Sequence, residues 1–380
     1  MIYDYIVAGA GLGGLSFIHH LIASEIPFAS IMIIDHDTKN TNDRTWSFWT
    51  ENNAFYKCAQ KQHWSELGFA SDDYLRFEAI APYTYYTIHS KEFYQEVFDK
   101  IRADKRITFL QEKVSAIIHE DHLISVQAGD QSYHAEYLID SITKPKAIPS
   151  DILMLSQNFV GWTIQTERPV FDRQKPILMD FRVAQQEAPS FVYFLPYSEN
   201  EALVEYTQFS TDFHFNQVKF ESELENYILD ELGITSYTII EREKGNIPMT
   251  NYPFDAKPHK RVFRIGTVGG DTKATTGYTF MNVQKHAKSI IQELLGHPET
   301  IQEKGRFDFY DTLLLQIMKE QPLMVKKIME FLFKNQPIAR VLKFLDEETT
   351  LPEEMMILGQ LPWQPFLSTL MKRTRNAVIS

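Results

Sequence analysis

The stretch from Asp4 to Ser24, DYIVAGAGLGGLSFIHHLIAS, carries the reading on which the fold turns. Residues 4–8 are a short β-branched run, Gly9, Gly11 and Gly14 follow at G-x-G-x-x-G spacing, and beyond them the apolar residues recur at helical intervals. That order is strand, tight turn, helix. Gly9 permits the turn, Gly11 lets a pyrophosphate approach the backbone, and Gly14 lets the helix lie close on the strand. The helix N-terminus offers unpaired N–H groups and a positive dipole end to phosphates. A second strand, SIMIID, ends in Asp35, 21 residues after Gly14, where a carboxylate can accept both ribose hydroxyls of an adenosine. A nucleotide-binding Rossmann-type unit is therefore expected.

At 380 residues the chain is long enough for two domains with a sizeable core. Its formal charge of −12, from 38 basic and 50 acidic residues, disfavours binding to nucleic acid phosphates. The single cysteine, Cys58, excludes an intramolecular disulfide framework and a cysteine-based zinc cluster, and fits a reducing compartment. The twelve histidines show no ligand spacing, so no metal site is expected. The N-terminus lacks the basic start and cleavage site of a signal peptide, and no run reaches the roughly 18 apolar residues of a membrane span. The segment LPWQPFLSTLMKRTRNAVIS mixes Trp363, Phe366, Leu367, Leu370 and Met371 with Lys372, Arg373 and Arg375 and contains no acid. It suits either a domain-packing helix with a basic tail or an interfacial anchor.

An NAD domain would continue by alternating helices and strands after Asp35. This chain instead has an irregular stretch to about residue 80, a helix from Ser90 capped by that serine, a strand ITFLQEKVSAII, and a meander turning at Gly129 and Asp130. The order of parts resembles the FAD domains of the aromatic-hydroxylase class of flavoproteins, in which Val114 would lie in the strand passing near the adenine. From about 151 to 250 the sequence reads as successive strands, an antiparallel sheet rich in aromatics that offers one face to a substrate. The chain then returns to VFRIGTVGGDTKATTGYTFMNVQKHAKSIIQELLG, a strand, a glycine-rich loop and a helix. Gly266, Gly269, Gly270 and Gly277 let the backbone approach a bound group, and a helix start near Thr276 would present amides to an anionic ring edge.

Taken together, GAGLGGLS, RTWSFWTE at 44–51, FVGWTIQT, LMDFRV, LPYSENEALVEYT, GNIPMT and IGTVGGDTKATTGYTF resemble the lycopene β-cyclase family, the FAD-containing carotenoid cyclases. The resemblance implies an α/β fold. An FAD-binding Rossmann-type domain (1–150 and 255–300) would carry an inserted antiparallel-sheet substrate domain (151–254) and a helical C-terminal region (301–380). It also implies that the family's acidic strand motif corresponds to Leu203–Thr207, with Glu205 as the catalytic acid and Tyr206 standing where the family carries a second acid. Thr267 replaces the aspartate usual after that glycine in hydroxylases, and IDSITK lacks their Arg-Gly; both count against a hydroxylase.

The activity implied is cyclisation of the linear ends of lycopene to β-rings, an acid–base reaction without net redox change. The cofactor would be reduced FAD, with NAD(P)H as the reductant. An alkene is a poor base, so its donor must be a protonated acid shielded from water, and burial lifts a glutamate pKa far above its ordinary range. Arg44, Trp46 and Trp49 either line the flavin or pack the loop. A cytoplasmic protein attached peripherally to the membrane is the expected setting, because lycopene resides there. The alternative is an FAD monooxygenase or prenyl reductase acting on another lipid; a non-catalytic flavin or lipid carrier is a further rival.

Overall fold

The computed structural model describes residues 1–51, 56–119, 122–186, 188–297 and 305–379, with backbone alone at 60 and 373–379. Strand β1 (Ile2–Ala8) runs into helix α1 (Leu12–Ile22), and β2 (Ile31–Asp35) lies parallel beside β1. Then come β3 (Thr45–Thr50), β4 (Gln62–Trp64), β5 (Glu66–Ser71), β6 (Tyr74–Ala79), β7 (Thr84–His89) and α2 (Ser90–Ala103). The strands β8 (Ile107–Gln111), β9 (Val114–His119), β10 (Ile124–Ala128) and β11 (Gln131–Asp140) follow. The middle of the chain supplies β12 (Met154–Gln165), β13 (Ile177–Asp180), β14 (Ser190–Pro196), β15 (Glu201–Ser210), α3 (Gln217–Asp230) and β16 (Thr238–Thr250). After β17 (Val262–Arg264) come α4 (Phe280–Leu294), α5 (Gly305–Glu320), α6 (Met324–Asn335), α7 (Ile338–Leu345), α8 (Leu351–Leu358) and α9 (Trp363–Ile379).

The first sheet has the order β8-β2-β1-β11-β10-β9, with β17 added parallel to the end of β11. Its parallel half is the nucleotide-type unit, and α1 and α4 pack on one face of it. Gly9 has φ +100, open to glycine, and a Cβ on Gly14 would stand 2.0 Å from the Gly9 carbonyl oxygen. The glycines therefore set how closely α1 lies on β1.

The second sheet has the order β16-β12-β15-β14-β13-β5-β6. It is antiparallel except where β13 meets β5 in parallel, and it draws β5 and β6 from well before residue 151. The stretch to residue 80, expected to be irregular, thus holds four strands. They are three to six residues long and several pair with remote partners, β3 with β7 and β5 with β13, so little local hairpin signal marks them. Helix α3, absent from a reading of 151–250 as strands alone, covers one face of this sheet through Phe220, Leu224, Tyr227 and Ile228. The other face, bearing Phe191, Tyr193, Leu203 and Phe209, is covered by α5, α6 and α7 through Leu315, Met329, Leu332 and Val341. Among the described residues no helix is long and apolar enough to cross a membrane.

Candidate functional site

A cavity of about 360 Å³ runs from the first glycine loop to the middle of the second sheet, with Gly11, Arg44, Tyr85, Tyr193, Glu205, Thr276 and Gly277 among its walls. Side chains alternate across a strand, so Leu203, Glu205 and Phe209 of β15 share one face while Val204 and Tyr206 share the other. Glu205 stands opposite Tyr193 of β14 on one side and Gly161 of β12 on the other, and Gly161 is in turn opposite Glu243 of β16. One row across four strands therefore reads Tyr193, Glu205, Gly161, Glu243.

Gly161 is what allows two carboxyls to meet there. A Cβ at this position would lie 3.0 Å from Glu243 Cγ, 3.2 Å from Glu243 Oε1 and 3.3 Å from Glu205 Cβ. Burial, then the neighbouring charge of Glu243, hold the Glu205 carboxyl well above the usual carboxylate range. Burial raises Glu243 too, but a hydrogen bond from Thr45 and the nearby His89 oppose the rise. The hydrogen bond between the two carboxyls favours the proton on Glu205 and the charge on Glu243. Thr207 Oγ1 donates to Glu205 Oε1 at 3.3 Å, and the remaining accessible surface of Glu205 opens on the cavity. Around the pair stand the buried phenols Tyr85, Tyr193 and Tyr197, each pushed well above its ordinary pKa mainly by burial. The arrangement is an acid that burial and a second carboxyl beside it keep protonated above the usual range, within an aromatic wall.

Glu243 escaped the sequence reading. The only local signal is the alternation in TIIEREKGNIPMT, which puts Glu241 and Glu243 on one face of a strand. Tyr206, expected where a second acid would stand, points to the opposite side of the sheet and packs on Phe220, ring centroids 4.9 Å apart. An acid at 206 would not reach the cavity, so the second carboxyl comes from another strand.

At the other end of the cavity the two glycine loops touch: a Cβ on Gly13 would lie 3.1 Å from the Ile265 carbonyl oxygen and 3.2 Å from the Gly266 nitrogen. Gly11 has open space where a Cβ would point, and α1 starts there without a side-chain cap, leaving its first amides free for an anion. Lys39 joins them, its ammonium 3.9 Å from Asp35 Oδ2 and 4.0 Å from Asp43 Oδ2. Among the described residues, buried oxygens on the cavity wall, Gln157 Oε1 and Thr276 Oγ1 among them, have no hydrogen-bond partner. Open glycine, free helix amides, cations at the mouth and unsatisfied oxygens fit a dinucleotide with a polar ring edge.

The remaining predicted positions divide. Gly266 and Gly277 line the cavity as expected. Gly9, Gly14, Gly269 and Gly270 do not; they are small because backbone or core lies against them, the Arg264 carbonyl oxygen 2.4 Å from a Cβ on Gly269 and Phe254 Cβ 3.1 Å from one on Gly270. Asp35 does not line this cavity; it accepts from Ala10 N at 2.6 Å and Asp37 N at 2.9 Å, so both its oxygens already hold the turn, and His36 Nδ1 lies 3.2 Å from Oδ1. Val114 packs beside Leu110 and Ile117 in the outer core instead of lining the cavity, because the chain turns away from β2 after β8.

The helix expected near Thr276 begins at Phe280, and Thr276 instead lies in the loop wall. Ser90 does not cap α2: His89 occupies that position, and the Ser90 hydroxyl accepts from Asp43 N at 2.9 Å and Arg44 N at 3.1 Å, fixing Arg44 at the mouth. Trp46 lines the cavity, while Trp49 packs edge-on against Tyr278. Arg373 and Arg375 lie outside the residues whose side chains are described.

This fold is that of the aromatic-hydroxylase class of flavoproteins. A flavoprotein/dehydrogenase from Cytophaga hutchinsonii superposes with a TM-score of 0.63 at 12% identity, covering 98% of this chain and 100% of that one. The chain belongs to the family described as lycopene cyclase protein, whose model matches residues 4–371. It is similar to a lycopene beta-cyclase of Paracoccus sp. (strain N81106 / MBIC 01143), 28% identical over 158 residues, 40% of each chain. It is also similar to a chloroplastic neoxanthin synthase of Solanum tuberosum, 22% identical over 298 residues, 73% of this chain. The matches span 40% and 57% of the length of those two relatives.

Proposed function

We propose that this protein is a carotenoid cyclase that closes the linear ends of lycopene into β-ionone rings by acid–base catalysis, with no net redox change. The observation that carries the reading is the pair Glu205 and Glu243 meeting across Gly161, with Glu205 on the wall of a cavity also lined by Tyr85 and Tyr193. Glu205 gives its proton to the terminal isopropylidene double bond and becomes a carboxylate, leaving a tertiary cation on the substrate. The next double bond attacks that cation, the ring closes, and a ring proton returns to Glu205, so protons balance over the cycle. Both carboxyls are charged while the cation exists, and opposite charge in a water-poor site lowers its energy. The faces of Tyr85 and Tyr193 add cation–π attraction, about 0.5–2 kcal/mol each.

FAD is the proposed cofactor, held by the Gly11 loop, Lys39, Arg44, Gly266, Thr276 and Gly277. When bound and reduced at the expense of NAD(P)H, it supplies a further negative charge close to the cation. A cytoplasmic protein resting on a membrane is the proposed setting. Exposed Leu323, Phe331, Met355 and Met371 on the C-terminal helices support it.

The test is expression in a bacterial host that accumulates lycopene. A change from red to orange pigment with β-carotene as the product is expected; unchanged pigment beside soluble, flavin-loaded protein would sink the proposal. NAD(P)H consumed in proportion to product would instead favour a monooxygenase or reductase.

A further inference from the structure

A second cavity, about 270 Å³, lies under the C-terminal helices. Leu314 of α5, Ile328 and Leu332 of α6, Phe344 of α7, and Phe366 and Leu367 of α9 wall it. The charged groups at its edge are paired: buried Lys273 donates to Asp311 Oδ2 at 3.0 Å and to Glu347 Oε1 at 3.0 Å. The surface offered to an occupant is thus hydrocarbon. At its rim Trp363 is 64% exposed and Phe309 45% exposed, apolar side chains that solvent does not favour.

Thr276 lines this cavity and also the cavity containing Glu205, and among the described residues its buried hydroxyl has no hydrogen-bond partner. The apolar pocket and the cavity of Glu205 thus share a wall residue in the second glycine loop. Pockets for a single drug-sized ligand run from about 300 to 1,000 Å³. The first cavity, about 360 Å³, cannot take both a flavin ring and a forty-carbon chain. The rest of a long substrate needs apolar room that continues from the site.

We infer that the cavity among α5, α6, α7 and α9 holds the far half of the linear hydrocarbon whose reacting end lies at Glu205, the chain passing Thr276 and entering between Phe309 and Trp363. This rests on the proposed cyclase reading for the identity of the substrate. It commits to the long acyclic polyene as occupant, in preference to a membrane acyl chain, because the cavity shares Thr276 with the cavity of the reacting site.

The experiment uses the full chain loaded with FAD, with lycopene in detergent micelles and a short polyene bearing the same acyclic end. Leu314→Trp fills the cavity without touching the carboxyl pair. The expected result is a KM for lycopene raised at least tenfold, with turnover of the short analogue within twofold of the parent. Equal losses for both substrates, or none for either, would overturn the inference. Where Leu314→Trp loses flavin or folds poorly, Leu367→Trp at the rim carries the same expectations.

Lycopene binding by co-elution separates the inference from the reading on which it rests. If the parent protein turns over neither substrate yet binds lycopene, and Leu314→Trp binds it at least tenfold more weakly, the cavity assignment stands and the cyclase reading fails. Equal lycopene binding by both, including the case where Leu314→Trp displaces only co-purifying phospholipid, overturns the assignment.

Discussion

Glu205 illustrates how position changes chemistry. A glutamate in open water is ionised above about pH 4.3, whereas this one is held protonated by burial and by the charge of Glu243. Glu205→Gln keeps the shape and removes the acid, so turnover of lycopene is expected to fall about 10²–10⁴-fold with flavin content unchanged. Activity requires the protonated form and should decline as pH rises through the elevated pKa. Glu243→Gln removes the like charge that contributes to that elevation, so the alkaline limb of the pH–rate profile should move to lower pH.

The same pair costs stability. Above the unfolded glutamate pKa of about 4.3 the unfolded chain releases protons that the folded chain retains, so stability falls as pH rises until the folded pKa is passed. Melting temperature followed from pH 4 to 9 should therefore drop less in Glu205→Gln than in the parent; parallel curves would contradict the protonated assignment.

Among the strands, the decisive feature is the row that β14, β15, β12 and β16 bring into register. Gly161→Ala should leave a folded, flavin-binding protein, because alanine suits a strand better than glycine by about 0.5–1 kcal/mol. Its methyl would press on both carboxyls, and a displacement of this kind can cost about a hundredfold in rate; turnover assays would register it. Tyr206→Glu tests the converse. It places a carboxylate against Phe220 on the far face, where loss of a buried ring costs about 3–5 kcal/mol without adding a catalytic acid. Denaturant melts should report that loss.

These two changes also mark what the chain's order of residues could disclose. The glycine spacing and Asp35 lie within one strand–turn–helix–strand unit and were legible. The short strands between residues 45 and 79 were not, because several of their partners lie far along the chain. Glu205 was singled out through a family motif, whereas its partner is 38 residues away on a strand two places across the sheet.

For the molecule entire, the two glycine loops and the C-terminal helices wall two cavities that share Thr276. If the protein rests on a membrane through its C-terminal helices, Met355 and Met371, 71% and 72% exposed, are contact points. Replacing both with glutamate should leave melting temperature within a degree or two and weaken co-sedimentation with vesicles. Burial of a methionine side chain contributes about 1.5–3 kcal/mol, at least tenfold in binding for each. Truncation after Pro362 should weaken it further, and undiminished association would contradict a membrane role for α9.

Local spacing was enough for the nucleotide unit, since a tight turn and a close helix–strand contact are demands that neighbouring residues meet among themselves. Composition and alternation likewise announced an aromatic sheet. The carboxyl pair, the meeting of Gly13 with Gly266, and the apolar cavity behind Thr276 depended on folding. Each is made by groups far apart in sequence, and cross-strand register and helix packing set their distances. The acid's unusual proton affinity arises from those distances and from the exclusion of water, properties that Glu205 has only in the company of Glu243, Gly161 and Tyr193.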